Sequence, residues 1–263
     1  RAGAPCPLEN SFPDSSAFLV CGGPSLVKHD LSLFSKRGIL TLAVNNAATI
    51  VRPNLWVCVD SPTHFADAIW RDPGVWKFVP DTHMTKPIAV RDANAKLVVS
   101  EESVGRMPAV FGYRRNEDFV PDRWLTEDTF NWGNHSTKRD ADGLKGSRSV
   151  FLVALRLLHV LGVRTVYLVG CDFKMTLGAA NYAFEQDRSP GSVRGNNKSY
   201  EILNVRLGRL KPYFDQSGFE VFNCTPQSGL KVFPHVDFSE AVRRSTLQIP
   251  EKILTAGMYD QAA

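Results

Sequence analysis

Residues 17–25 read Ala17-Phe18-Leu19-Val20-Cys21-Gly22-Gly23-Pro24-Ser25: an apolar run that stops at two glycines, a proline and a serine. A short run without polar alternation, bounded by turn residues, reads as a strand buried on both faces. The spacing of Leu26, Leu31, Leu33 and Phe34 after it predicts a helix over about 25–36. Glycines at a strand-to-helix turn let backbone approach a ligand and aim amide N–H groups at an anion. A tight turn without a ligand would carry the same residues. The rest of the chain has to separate the two readings.

Outward from this stretch the same unit recurs. Strands are predicted at 17–21, 39–43, 55–59, 164–170 and 219–222. Helices are predicted at about 63–70, 147–161 and 198–216. Alternating strands and helices imply a parallel sheet covered on both sides, an α/β Rossmann-like architecture. Residues 71–146 pattern less clearly, with short apolar runs at 75–79, 88–90 and 97–99 and then a polar, aromatic stretch with Trp124, Phe130, Trp132 and His135. The expectation is one Rossmann-like nucleotide-binding domain over 1–263, with 71–146 as an inserted lid or acceptor region.

In such sheets ligands sit beyond the carboxyl ends of the strands. Those ends carry Gly22, Gly23, Pro24 and Ser25, then Asn45 and Asn46, Asp60 and Ser61, Gly170, Cys171 and Asp172, and 223–228 with Thr225, Pro226 and Ser228. Five strand ends rich in small and hydrogen-bonding residues favour a binding rim over chance turn chemistry.

The bulk composition narrows the class. The chain has 263 residues and a formal net charge of +4, which suits an anionic ligand and is too weak to establish nucleic-acid binding. The five cysteines lack Cys-x-x-Cys spacing and read as small buried hydrophobes, not as a zinc or redox site. With no membrane-spanning run and no signal-peptide pattern, the expected location is the cytoplasm.

The run Tyr167-Leu168-Val169-Gly170-Cys171-Asp172-Phe173, followed by Tyr182-Ala183-Phe184, resembles the small Rossmann-like bacterial sialyltransferases. The Gly-Pro-Ser turn and the segment Thr225-Pro226-Gln227-Ser228-Gly229-Leu230 add to that likeness. The skeleton is also similar to MptE-like hydroxymethylpterin diphosphokinases and flagellin-modifying glycosyltransferases. The resemblance covers about 17–70 and 147–240 and leaves out 71–146. It implies a nucleotide-sugar donor, CMP- or UDP-linked, whose phosphates lie near Gly22, Gly23, Pro24 and Ser25. It implies that Asn45 and Asn46 lie beside the nucleotide or donor sugar, that Gly170, Asp172, Thr225, Pro226 and Ser228 lie by the nucleoside, and that Tyr182 steadies the leaving phosphate without a metal.

One position departs from that family. Its catalytic histidine follows a glycine, and here Gly195 is followed by Asn196, which cannot accept a proton. Lys174 likewise stands where the family has a second tyrosine. Candidate replacement bases are Asp60, His64 and His135. The acceptor could be a glycan, a small metabolite or nucleic acid, since similar skeletons occur in phage-like genomes and Arg188, Arg194 and the basic cluster at 138–148 are present. The alternatives are a diphosphokinase moving pyrophosphate from ATP, with magnesium on Asp60 and Asp172, and a non-catalytic nucleotide-binding module.

Overall fold

A computed structural model describes residues 8–247 and Ile249, apart from 93, 95, 136, 141, 142 and 185–187. Cys6 lies outside the described residues. The strands in chain order are β1 (Ser16–Val20), β2 (Thr41–Val44), β3 (Leu55–Val57), β4 (Trp76–Pro80), β5 (Pro87–Arg91), β6 (Leu97–Ser103), β7 (Val110–Tyr113), β8 (Arg115–Asn116), β9 (Phe130–Asn131), β10 (Thr165–Val169) and β11 (Glu220–Asn223). The α-helices are α1 (Asp67–Arg71), α2 (Val150–Val160), α3 (Pro190–Gln216) and α4 (Phe238–Thr246).

Seven strands form one sheet in the order β11-β10-β1-β2-β3-β4-β7, every neighbouring pair parallel. Alternate residues along each strand feed different cores, as the two-residue period of a strand requires. Ala17, Leu19, Leu42, Leu55, Val166 and Leu168 pack with α2 and α3 on one face. Phe18, Val20, Ala43, Trp56, Tyr167 and Val169 pack with Trp70, Phe238 and Val242 on the other. The expected α/β Rossmann-like parallel sheet is therefore the observed one.

Several elements differ from the sequence reading. No α-helix forms at 25–36; two 3-10 turns, Pro24–Lys28 and Leu31–Ser35, take its place. His29 is extended at the end of the first turn, and the Asp30 carboxylate accepts from the Ser32 amide, so the backbone restarts instead of continuing. The helix over 63–70 shrinks to a 3-10 turn, Pro62–His64, and the short α1. The long helix α3 starts earlier than expected, where Ser189 caps it by accepting from the Ser192 amide and Pro190 fills its first turn.

The segment 71–146 is partly built into the sheet. Its strands β4 and β7 extend the parallel array, while β5 and β6 pair as a separate antiparallel hairpin. Under this edge the Lys77 ammonium is fully buried and donates to the carbonyls of Asp72 (2.6 Å), Val75 (2.9 Å) and Pro108 (2.9 Å). Burial lowers its pKa to about 8.

The following stretch is fastened to α3. Arg206 donates to Asp140 Oδ2 (2.6 Å), Asn134 Oδ1 (3.0 Å) and the carbonyls of Gly146 and Ser147 (both 3.0 Å). Both side chains of the Arg206–Asp140 pair are fully buried, and the Phe119 ring lies 5.3 Å from the guanidinium. No helix among the described residues is long and apolar enough to cross a membrane.

Candidate functional site

Chain order along the sheet reverses between β1 and β10: β2, β3, β4 and β7 extend to one side of β1, and β10 and β11 lie on the other. That switch leaves a crevice beyond the strand ends, where open α/β sheets take ligands. A cavity of about 350 Å³ lies there, lined by Gly22, Gly23, Asn45, Asn46, Asp60, Gly170, Asp172 and Tyr182 among others. A larger hollow of about 540 Å³ lies at the other end of β2 and β3, between 31–39 and 50–54. It contains none of these strand-end groups, so chemistry points to the switch-point cavity.

The first turn serves the neighbouring strand end more than open space. The Gly23 amide donates to the Gly170 carbonyl (2.9 Å), and Ser25 donates to Asp172 Oδ2 through its amide (3.2 Å) and its hydroxyl (2.7 Å). A Cβ on Gly23 would overlap the Asp172 carboxylate and the Gly170 carbonyl, so glycine is needed for that close approach. The amides of Gly23 and Ser25 thus have protein partners, and a carboxylate occupies the corner where a phosphate was expected.

Thr225 and Ser228 sit beneath the cavity and are nearly inaccessible. The Cys171 amide donates to Thr225 Oγ1 (2.8 Å), and the Ser228 hydroxyl donates to the Cys171 carbonyl. The Gly229 amide donates to the Asp172 carbonyl (2.7 Å). These residues clamp the bend at 170–173, where Gly170 and Phe173 have φ of +66° and +49°. Pro226 is exposed beside them.

The strap at 182–184 closes over the turn. The Ala183 amide donates to the Gly22 carbonyl (3.0 Å), and the stacked rings of Tyr182 and Phe184 lie over Gly22, whose missing side chain makes room for Phe184. Arg188 donates to the Tyr182 hydroxyl (3.0 Å) and lies 5.1 Å from its ring, which leaves that hydroxyl's own proton free to point elsewhere. On the facing wall, α2 presents its amino end: Ser149 caps it by accepting from the Phe151 amide (3.2 Å), and Ser149, Val150 and Phe151 line the cavity. A helix start carries partial positive charge. Arg148, Lys174 and Arg188 add full positive charges at the same cavity.

Asn45, at the end of β2 with φ of +48°, donates through Nδ2 to Asp60 Oδ2 (3.4 Å), and its carbonyl accepts from the Trp56 indole (2.8 Å). Its Oδ1 is buried without a partner, an acceptor left open at the cavity wall. Asp60 is exposed at this rim. His64 and His135 are exposed elsewhere and do not line the cavity; His135 Nδ1 faces the Thr137 hydroxyl (3.0 Å). Of the three candidate bases, the fold brings Asp60 to the cavity.

One lining residue had no signal in the sequence. Tyr200, in α3, stacks on Phe173 (4.9 Å) and lines the cavity. Burial pushes its phenol pKa up, so it stays protonated and can donate. Asn196 also lines the cavity, with its Nδ2 donating to the Ser192 carbonyl (2.9 Å). Arg148 is held by Glu117 (3.1 Å) and lies 4.7 Å from the Trp132 ring. In the sequence Arg148 stands out only as part of the basic cluster at 138–148.

The magnesium reading asked Asp60 and Asp172 for oxygen ligands. Asp172 is committed through Oδ2 to Ser25, and among the described residues no three His, Cys, Asp or Glu side chains gather to hold a metal ion. Magnesium carried by substrate phosphates needs only one or two carboxylates, and Asp60 and Asp172 both line the cavity.

Comparison with known proteins bears on the fold. The chain is similar to the MAf glycosyltransferase from Magnetospirillum magneticum AMB-1, with TM-score 0.50 and 13% identity over 87% of this chain and 34% of that one. It spans about a third of that enzyme's length. It is also similar to the sialyltransferase CstII from Campylobacter jejuni, solved with the substrate analogue CMP-3FNeuAc, with TM-score 0.38 and 13% identity over 84% and 86% of the two chains. At these identities the first likeness is one of fold, and the second is too distant to add to it. No protein-family model and no curated protein matches the chain.

Proposed function

We propose that this protein is a transferase that uses a nucleotide-activated sugar and breaks its sugar–phosphate bond. The observation that carries the reading is the cavity at the switch point, where a hydrogen-bonded Tyr182–Arg188 pair, the amino end of α2 and the Asp60 carboxylate are gathered. The fold shared with the MAf glycosyltransferase supports it.

In this reading the anionic leaving group lies against Arg188, Lys174 and the Tyr182 hydroxyl, not in the first turn. Charge develops on the phosphate oxygen as the bond breaks, and donors already aimed there stabilise it without reorganising. Asn45 Oδ1, left without a partner, accepts from a hydroxyl or amino group of the donor. Asp60 takes the proton of the acceptor hydroxyl, the task that Asn196 cannot perform. Gly22, Gly23, Asn46, Gly170 and Asp172 shape the wall around the nucleotide, while Thr225, Pro226 and Ser228 support it from below or beside. The nucleotide is CMP- or UDP-linked. The acceptor is a glycan, a small metabolite or nucleic acid, and residues of 71–146 cover it.

A thermal-shift and calorimetry panel across CMP, UDP, GDP and ATP, with and without magnesium, tests the reading. Stabilisation by CMP or UDP species in the absence of metal supports it. A response confined to ATP with magnesium, or no response to any nucleotide, rejects it. Release of free nucleotide from the sugar donor separates an enzyme from a module that only binds.

A further inference from the structure

The hairpin of β5 and β6 lies outside the seven-stranded sheet, and β6 carries three consecutive exposed apolar residues: Leu97 is 46%, Val98 37% and Val99 64% exposed. Strand β5 is fixed to the body through Ile88 and Ala89, both buried, and pairs with one edge of β6. The other edge of β6 has no strand beside it among the described residues.

The register decides which backbone groups face that open edge. The Asp92 amide donates to the Lys96 carbonyl (2.9 Å), and antiparallel pairs alternate between bonded and unbonded. Val98 therefore turns its N–H and C=O toward Val90, while Leu97 and Val99 turn theirs outward. Natural edge strands are blunted by charge, proline or a bulge. The stretch Leu97–Val99 has no charge and no proline, and its pairing with β5 is regular. Such an edge is a template for another strand.

We propose that β6 pairs antiparallel with β6 of a second copy of this chain, about a two-fold axis at Val98. The strand complements itself in that direction. It begins with Lys96 and ends with Glu101 and Glu102, so antiparallel pairing brings the basic start of one copy to the acidic end of the other. Parallel pairing would set like charges together. With the axis at Val98, each Leu97 faces the partner's Val99, and Val98 faces the partner's Val98. The two Leu97–Val99 pairs use the outward N–H and C=O groups and form four main-chain hydrogen bonds. Lys96 faces the partner's Ser100, within side-chain reach of the partner's Glu101 and of the partner's Glu102, a residue whose carboxylate also accepts from Arg71 of its own chain. Two hairpins become one four-stranded antiparallel sheet. That matters energetically, since a two-stranded hairpin alone is marginal in water and added strands stabilise it. The contact is isologous, so it closes at two copies. The strand is short, which makes the dimer a weak one, in the micromolar range.

Sedimentation of the full chain from about 1 to several hundred micromolar tests the pairing, because weak contacts populate over that interval. A concentration-dependent shift from one chain to two is expected. Val99→Lys adds the charge that blunts an edge, and Val99→Pro removes an outward N–H that the chain's own hairpin does not use. Each should raise the dissociation constant by about tenfold or more, while the melting temperature of the dilute protein stays near wild type. Val98→Cys should give a disulfide-linked dimer under mild oxidation. Val99→Cys should give no more than wild type, since its two copies lie too far apart across this register. A single chain at every concentration overturns the proposal, and some other partner or solvent then meets the edge. A dimer that both Val99 variants leave intact also overturns it, because another surface then holds the copies together. Cross-linking through position 99 but not 98 overturns the axis.

Discussion

Asp60→Asn exchanges a carboxylate for an amide of nearly the same shape that cannot take a proton. If Asp60 is the base, kcat falls by about 100-fold or more while nucleotide affinity changes little, because general-base catalysis contributes on that order. His64→Ala and His135→Ala, both away from the cavity, leave kcat near wild type. Steady-state kinetics beside calorimetry checks the whole set, and a histidine variant with the larger loss removes Asp60 from the role. Gly23 makes a different point. Its φ of −70° is open to any residue, so its requirement for glycine is one of space. Gly23→Ala is expected to destabilise the fold by about 1–3 kcal/mol, as overpacking does, because Asp172 and the Gly170 carbonyl must move. Equal melting temperatures for the two proteins would contradict that crowding. The motif at 22–25 was legible in the sequence. That its amides would be taken by the Gly170 carbonyl and the Asp172 carboxylate, some 150 residues onward, was not, because a short motif carries no record of its partner across the sheet.

Among the elements, α3 does more than its apolar stripe suggests. Arg206 lies on its buried side and holds Asp140, Asn134 and the carbonyls of Gly146 and Ser147, the last only two residues before the cap of α2. Removing one member of a buried ion pair strands the other charge and costs about 3–5 kcal/mol. Arg206→Ala should lose that much stability in denaturant unfolding and expose 134–147 to limited proteolysis. A loss below about 1 kcal/mol would mean the pair is not buried as described. The patterned elements were legible: the β10 run and the largely apolar α2 announce themselves in Thr165–Val169 and Val150–Val160. The 3-10 turns after β1 were misread because Leu26, Leu31, Leu33 and Phe34 imitate helical spacing, and only the local bond from Ser32 to Asp30 breaks it. Strand β7 was missed because Val110-Phe111-Gly112-Tyr113 is short and carries a glycine, and its place comes from pairing with β4.

At the scale of the molecule, burial sets an acid limit. His83 and His159 both have pKa values lowered to about 4, chiefly by burial. The unfolded chain takes up these protons near pH 6.5, whereas the folded chain resists until about pH 4. The unfolded state therefore binds more protons through that interval, and stability falls as pH drops from about 6.5 toward 4. Thermal unfolding across that range checks the sign, and His159→Phe, beside Phe219, should flatten the slope. A melting temperature constant over the interval would refute neutral burial. The parallel sheet as a whole was legible because alternation of strand and helix leaves few other solutions. The cavity's cations were not, since Arg148, Lys174 and Arg188 come together only through packing.

The ammonium of Lys77, enclosed by three main-chain oxygens under the β4–β7 edge, has one more implication. An amine held that way is shielded from acylating reagents, so an N-hydroxysuccinimide ester applied to the native protein should mark the surface lysines Lys36, Lys96 and Lys198 and pass Lys77 by. Its labelling would begin only when that side of the molecule opens, which turns one residue into a built-in clock for the loosening of the sheet's far margin.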